Sequence, residues 1–361
     1  MRSVYIHIPF CSNICSYCDF AKVYYNNNIV EKYLKSLSNE VSKRYKNNLI
    51  NTLYIGGGTP SSLSIENLSV LFKIINKLNL TKDCEITFEC NIDDTTYDKL
   101  LFLYNNNVNR LSFGIQSFNP KLLKILNRTH TKEDIYRVIN MAKEIGFKNI
   151  NVDLIYGINK ETINDVKEEL DNFLSLNINH ISTYALIIEP NTILSNNNYK
   201  NIDEDTEYKM YKYINKTLTK NNYTNYEFAN YAKDNTYSKH NLVYWNNLEY
   251  YGFGLGAVSY LNKRRITNTR NLTTYLKNKY IYTNIYEDKN TTMSNEMILG
   301  LRKIQGVNED EFYKKYNLKI EDVFDINKLL QDRLLIKEKG YLKINKDYLY
   351  LSNEILVNFI I

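Results

Sequence analysis

The chain has no apolar run approaching the roughly 20 residues that a membrane-crossing helix requires, and its first residues lead into a β-patterned stretch without an apolar leader. A membrane-spanning or exported protein is therefore not expected, and the cytoplasm is the expected compartment. Surplus charge of either sign is also scarce. The 46 Lys and Arg against 40 Asp and Glu leave +6, too mild to read as a nucleic-acid footprint. Cysteine is sparse too: five residues, odd in number and with three crowded together, fit a reducing compartment better than a disulfide framework. What abounds is Tyr, 33 in 361 residues, and Asn in runs at 26–28, 105–107 and 196–198 that read as loop filler. The length suits one large domain with one or two small additions.

The crowded cysteines are Cys11, Cys15 and Cys18, a CxxxCxxC spacing directly after the β-patterned Val4–Ile8. Three thiolates can hold three irons of a cubane cluster and leave the fourth iron open to a small molecule. Structural zinc is the competing reading, because short cysteine spacings also build zinc knuckles. Zinc normally takes a fourth ligand, and no second knuckle follows; His7 is close in sequence but lies on the expected strand. At this point the cluster, zinc and plain structural thiols all stay open.

Hydrophobic periodicity over the first half alternates short period-2 runs with longer amphipathic ones. Strands are expected at Val4–Ile8, Thr52–Ile55, Glu85–Glu89, Arg110–Gly114, Asn149–Ile155 and His180–Leu186. Helices are expected near residues 30–45, 65–78, 95–104, 121–126, 132–145 and 164–176. Six βα units are too few for a closed eight-stranded barrel, so the fold class is α/β, a curved partial (β/α)6 barrel with functional groups at the C-terminal strand ends. The cysteines, Gly56-Gly57-Gly58-Thr59-Pro60, Glu89, Gln116 and Asp153 all fall there. If Glu89 faces the lumen, strand alternation turns Cys84 and Cys90 towards the helices as core residues.

Past Pro190 the pattern loosens, and the chain is divided into a barrel over residues 1–190, a linker and motif region over 191–290, and a C-terminal module over 291–361. The middle region is expected to hold a helix around 205–220, a strand over Tyr223–Ala229 and a Gly-rich run at 250–260. The last is expected to be a smaller α+β region ending in a winged-helix-like module, with β-runs at Tyr341–Lys343 and Tyr348–Leu351 joined by a turn at 345–347. Residues 293–361 carry 11 basic and 11 acidic side chains. A neutral module lacks the face that phosphate binding needs, which argues against nucleic acid as a partner and against a cluster-sensing DNA-binding regulator.

Taken in order, YIHIPFCSNICSYCDF (5–20), GGGTP (56–60), SFGIQSF (112–118), NRTH (127–130) and DLIYG (153–157) resemble radical S-adenosylmethionine proteins of the oxygen-independent coproporphyrinogen oxidase type, over nearly the whole chain. The CDF after the third cysteine and HNLVYW at 240–245 resemble the heme chaperone branch of that family. The resemblance implies a [4Fe-4S] cluster on Cys11, Cys15 and Cys18, with S-adenosylmethionine on its open iron. It places Tyr5, Tyr17, Gly57, Gly58, Thr59, Glu89, Gln116, Arg128, Asp153 and Ala185 around that cofactor. Carboxylates suit its ribose hydroxyls or ammonium, and Arg128 suits its carboxylate.

It also implies heme as a ligand, with His240 as its axial ligand and Tyr244 and Trp245 against the porphyrin face, and an acceptor protein to receive it. By itself, a histidine beside aromatics is more often a satisfied structural group. A transient membrane contact during delivery stays open, with no lipidation motif or basic amphipathic helix to support it. The enzyme alternative is a coproporphyrinogen III dehydrogenase or another radical reaction. Against the first, the family's oxidases carry a further cysteine two residues after the third ligand and a long segment before the cysteines. Here Phe20 occupies that position and ten residues precede Cys11.

Overall fold

In the computed structural model, which describes residues 2–361, strand β1 (Arg2–Ile8) buries Val4, Ile6 and Ile8 completely. The cysteine loop follows, framed by two short strands that pair with each other, β2 (Phe10–Cys11) and β3 (Val23–Tyr24). Then come α1 (Asn27–Arg44), β4 (Ile50–Gly57), α2 (Ile65–Ile75), β5 (Leu80–Asn91), α3 (Tyr97–Asn105) and β6 (Arg110–Gln116). The series continues with α4 (Pro120–Ile125), α5 (Lys132–Ile145), β7 (Asn149–Tyr156), α6 (Ile163–Ser175) and β8 (His180–Ala185). All six helices start where an Asn, Ser or Thr side chain, from Asn26 to Thr162, accepts a backbone N–H of the first turn. Strands β1 and β4–β8 pair in parallel in chain order, the expected six βα units. The largest boundary difference is at β5, which starts at Leu80, where an isolated pairing with Ile50 is followed by a register shift across the polar Thr81-Lys82-Asp83 before regular pairing resumes at Glu85.

The sheet does not stop at residue 190. After α7 (Ile193–Asn196) and α8 (Glu204–Lys220), β9 (Thr224–Asn225) and β10 (Asn230–Ala232) extend it antiparallel beyond β8. Of the strand expected over 223–229 only Thr224–Asn225 forms, and β10 lies just beyond it. Beyond α9 (Lys239–Trp245), β11 (Tyr250–Phe253) pairs in parallel with β1, along the edge opposite β4. There β12 (Val258–Leu261), β13 (Arg264–Asn268), α10 (Leu272–Leu276) and β14 (Ile281–Tyr286) complete a 12-stranded sheet. Gly252 explains part of the Gly-rich run: a Cβ there would lie 2.0 Å from the Val258 carbonyl oxygen. The region expected at 191–290 is therefore built onto both edges of one sheet, and its Tyr251, Phe253 and Tyr275 share the main core. Glu40 of α1 locks the addition in place. Its buried carboxylate accepts from Gly254 N (2.9 Å), Tyr275 Oη (2.6 Å), Asn268 Nδ2 (2.7 Å) and the Arg44 guanidinium.

The C-terminal region comprises α11 (Lys289–Gly300), β15 (Val307–Asn308), α12 (Glu309–Tyr316), α13 (Asn327–Gln331), β16 (Leu335–Glu338) and β17 (Tyr341–Ile344), ordered β15-β17-β16 around a second core that includes Met297, Phe312 and Phe359. The expected strand at 348–351 is instead a 3-10 helix over Lys346–Leu351. The hairpin partner of β17 precedes it, across Lys339-Gly340, both at positive φ (52° and 77°), the backbone that tight two-residue hairpins demand. Among the described residues, no helix is long and apolar enough to cross a membrane.

Candidate functional site

The C-terminal ends of β1 and β4–β8 open onto a cavity of about 580 Å³. Twelve of the fourteen residues singled out in the sequence line it: Cys11, Cys15, Tyr17, Cys18, Gly57, Gly58, Thr59, Glu89, Gln116, Arg128, Asp153 and Ala185. Strand register explains the convergence. Glu89 lies beside Ser112, Ser112 beside Asn151, and Asp153 beside Ser182, so one face of neighbouring strands is polar throughout. Sequence reading missed Tyr54, Asn91, Arg110, Ser112, Asn151 and Ser182 on the same walls. Period-2 alternation marks Asn91 from Glu89, Asn151 from Asp153, and Arg110 and Ser112 from Gln116, whereas Tyr54 and Ser182 are placed by cross-strand register.

The cysteine loop is stitched to the turn that carries Arg128. Ser16 N donates to the Leu126 carbonyl (3.1 Å) and Ser16 Oγ to that of Ile125 (2.7 Å), while Asn127 Nδ2 donates to the Ile14 carbonyl (2.7 Å). Tyr17 packs on the small cluster of Leu122, Leu126, Ile155, Ile158, Leu186 and Leu194 beneath that turn. The glycine turn packs against the same loop. A Cβ at Gly58 would lie 2.8 Å from Cys11 Sγ, and one at Gly56 2.7 Å from Glu89 Cδ. Burial pushes the Cys11 thiol up to about 12 and raises Cys18 as well. Among the described residues, no three Cys, His or acidic groups close on a single metal-ion position. Cys84 and Cys90 are buried in the main core, as alternation requires.

Deeper in, Glu89 accepts from Tyr54 Oη (2.8 Å) and Gly57 N (2.9 Å), and burial pushes it up to about 7, with Asp153 adding to the rise. Burial raises Asp153 too, although Asn151 Nδ2 donates to it at 2.8 Å. Across from them, Arg128 donates to Tyr17 Oη (3.2 Å) and to Asn91 Oδ1, yet its Nε has no partner. Gln116 Oε1 and Arg110 Nε also lack partners, and Gln116 is held at φ 71°. Buried polar atoms without partners, together with a strained strand end, are what a polar ligand would satisfy. Two carboxyl groups facing a guanidinium suit a zwitterionic amino-acid ligand, so these residues fit S-adenosylmethionine beside a cluster.

Two residues fall outside the cavity. Tyr5 Oη bonds to His7 Nδ1 (2.9 Å), and His7 Nε2 to the Ala21 carbonyl (2.7 Å). His7, which shares a strand face with Tyr5, is buried behind the glycine turn, not on the cavity wall. His240 lies behind Tyr54, ring centroids 5.2 Å apart, and is 1% exposed. Glu85 holds the start of α9 through the N–H groups of Lys239 and His240 (3.1 and 3.0 Å). Thr52 Oγ1 donates to Ser3 Oγ (2.8 Å) and so accepts from His240 Nδ1 (2.7 Å); His240 Nε2 then accepts from Tyr244 Oη (2.8 Å). Burial lowers this imidazole to about 3. As folded, His240 has no nitrogen free for an iron. Tyr244 stands edge-on to Tyr250, and the Arg302 guanidinium covers Trp245 at 5.6 Å.

Residues 5–173 match the Radical SAM superfamily model. The heme chaperone HemW of Lactococcus lactis subsp. lactis (strain IL1403) is 37% identical over 370 residues, spanning 100% of this chain and 97% of its own. HemW of Bacillus subtilis (strain 168) is 36% identical over 98% of this chain and 96% of its own. HemW of Escherichia coli (strain K12) is 33% identical over 77% of this chain and 76% of its own. Among solved structures, the radical SAM enzyme coproporphyrinogen III oxidase (HemN) from Escherichia coli superposes with a TM-score of 0.88 over 99% of this chain and 89% of its own, at 22% identity, a likeness of fold. The full-length identity, carried by a barrel whose strand ends gather the three cysteines, means that the chain belongs to the HemW heme chaperone family of radical SAM proteins.

Proposed function

We propose that the protein is a cytoplasmic heme carrier that holds a [4Fe-4S] cluster on Cys11, Cys15 and Cys18, binds S-adenosylmethionine beside it, and passes heme to an acceptor protein. The observation that carries this reading is a cavity combining three separate thiols with unsatisfied polar atoms at Gln116 and Arg128. When bound, a cluster with an open iron supplies one electron to the sulfonium. The chain's own part is positioning. Arg128 and Gln116 hold the amino-acid end, Glu89 and Asp153 take its ammonium or the ribose hydroxyls, Tyr17 shares the Arg128 side, and the Gly57-Gly58-Thr59 backbone and Ala185 let the nucleoside approach closely. Phe20 stands where the family's oxidases carry a further cysteine, which favours carriage over coproporphyrinogen oxidation.

The test is anaerobic reconstitution, heme titration, and transfer to a heme-free acceptor followed by optical spectroscopy, with product analysis on coproporphyrinogen alongside. Stoichiometric heme uptake and transfer without decarboxylated product are expected. Decarboxylated product, or a cluster-loaded protein that takes up no heme, would overturn the proposal.

A further inference from the structure

All four histidines are buried inside the protein, and only His130 Nδ1 among their ring nitrogens lacks a hydrogen-bond partner. His7, His130, His180 and His240 are at most 4% exposed. His180 bonds to Asn151 Oδ1 (2.6 Å) and Tyr226 Oη (2.8 Å), His130 Nε2 to the Ile115 carbonyl (3.1 Å), and His7 and His240 use both ring nitrogens. None lines the cavity. Its rim instead exposes large apolar side chains, Phe20 at 67%, Ile187 at 65% and Tyr184 at 43%. Phe20 comes from the loop after β1, while Tyr184 and Ile187 come from the end of β8 and just beyond it, the two ends of the six-strand arc. Leu194 N ties the sides together by donating to the Ser16 carbonyl (3.0 Å).

Two cations flank Phe20. Lys22 donates to the Cys18 carbonyl, and Arg270, largely exposed, pairs with Asp19. A flat apolar macrocycle with two carboxylates on one edge complements such a rim. The cavity below is the size of one small-molecule site, so a cluster and S-adenosylmethionine inside it leave the macrocycle at the mouth.

Resting on the heme-carrier reading, we propose that heme docks flat on the rim formed by Phe20, Tyr184 and Ile187, propionates towards Lys22 and Arg270, and takes no imidazole ligand from this chain. Transfer then needs one new iron–ligand bond from the acceptor and breaks none to a histidine here.

The experiment titrates ferric heme into reconstituted full-length protein, with cluster iron and S-adenosylmethionine binding measured for each variant. The wild type should show no imidazole-ligated low-spin signature by electron paramagnetic resonance. His240→Gln should keep the wild-type affinity and spectrum, while the Phe20→Ser/Ile187→Ser double variant should bind heme about tenfold or more weakly with cluster and S-adenosylmethionine retained. An imidazole signature in the wild type would overturn the proposal, even should His240→Gln fail to fold. So would a double variant that binds like the wild type. A wild type that takes up no heme defeats the carrier reading itself, and this inference with it.

Discussion

The interior holds two polar regions built on opposite plans. Around Glu40 and His240 the groups are closed on one another: four donors converge on the Glu40 carboxylate, and the Ser3–Thr52–His240–Tyr244 chain uses each imidazole nitrogen once. On the cavity wall the arrangement is open. Gln116 Oε1, Arg128 Nε and Arg110 Nε have no partner, and Glu89 is raised by burial. The lesson is that residue type does not separate structural from functional polar groups inside a barrel. What marks the cavity wall is the coincidence of unpartnered atoms with an open cavity, since unpartnered groups such as Trp245 Nε1 and Asn230 Oδ1 also occur away from it.

Several substitutions can break or sharpen that contrast. The largest effect belongs to Cys11→Ala, Cys15→Ala or Cys18→Ala, each expected to abolish cluster iron after reconstitution, measured by iron analysis and visible absorption, while the fold stays intact by circular dichroism. Retained iron in any of them would remove that cysteine from the ligand set. Next, Glu40→Ala leaves the largely buried Arg44 guanidinium without its carboxylate and three further donors without their acceptor, and should cost about 3 kcal/mol of stability in denaturant unfolding. S-adenosylmethionine affinity of the folded fraction should not change, and a shift there would erase the distinction between the regions.

The other two run in opposite directions with pH. Burial depresses His240 to about 3, so below about pH 6.5 the unfolded chain binds the extra proton and wild-type stability falls as pH falls. His240→Gln should remove about 3 kcal/mol of that loss by pH 4. Glu89, raised to about 7, stays protonated longer in the folded state, so stability falls as pH rises from about 4.5 to 7. Glu89→Gln should therefore gain about 2 kcal/mol on the wild type between pH 5 and pH 8 while weakening S-adenosylmethionine binding. Parallel stability–pH curves for either pair would defeat the corresponding assignment.

Much of this was legible in the sequence where the physics is local. Apolar periodicity marked all six βα units, because strands with one apolar and one polar face repeat every two residues while helices buried on one side repeat about every 3.6. Alternation placed Cys84 and Cys90 in the core opposite Glu89. Pairings that span the chain have no local signal. Nothing near Tyr5 announces that it lies beside Gly252, and the alternating Tyr348–Leu351 read as a strand until Lys339-Gly340 joined β17 to the segment before it. For His240 the sequence showed an imidazole among aromatics. The partners that occupy both nitrogens come from Thr52, far along the chain, and from Tyr244 one helical turn away.

Strand β1 is hydrogen-bonded along both edges, to β4 and to β11, whereas β8 past Thr183 has a strand partner on the β7 side alone. Amide protons of Tyr5 and Ile6 should therefore exchange with solvent only when the whole sheet opens, and those of Ala185 to Ile187 through smaller, faster openings. The side of the mouth that carries the cysteines should be the stiffer one, and the β8 side the first to yield.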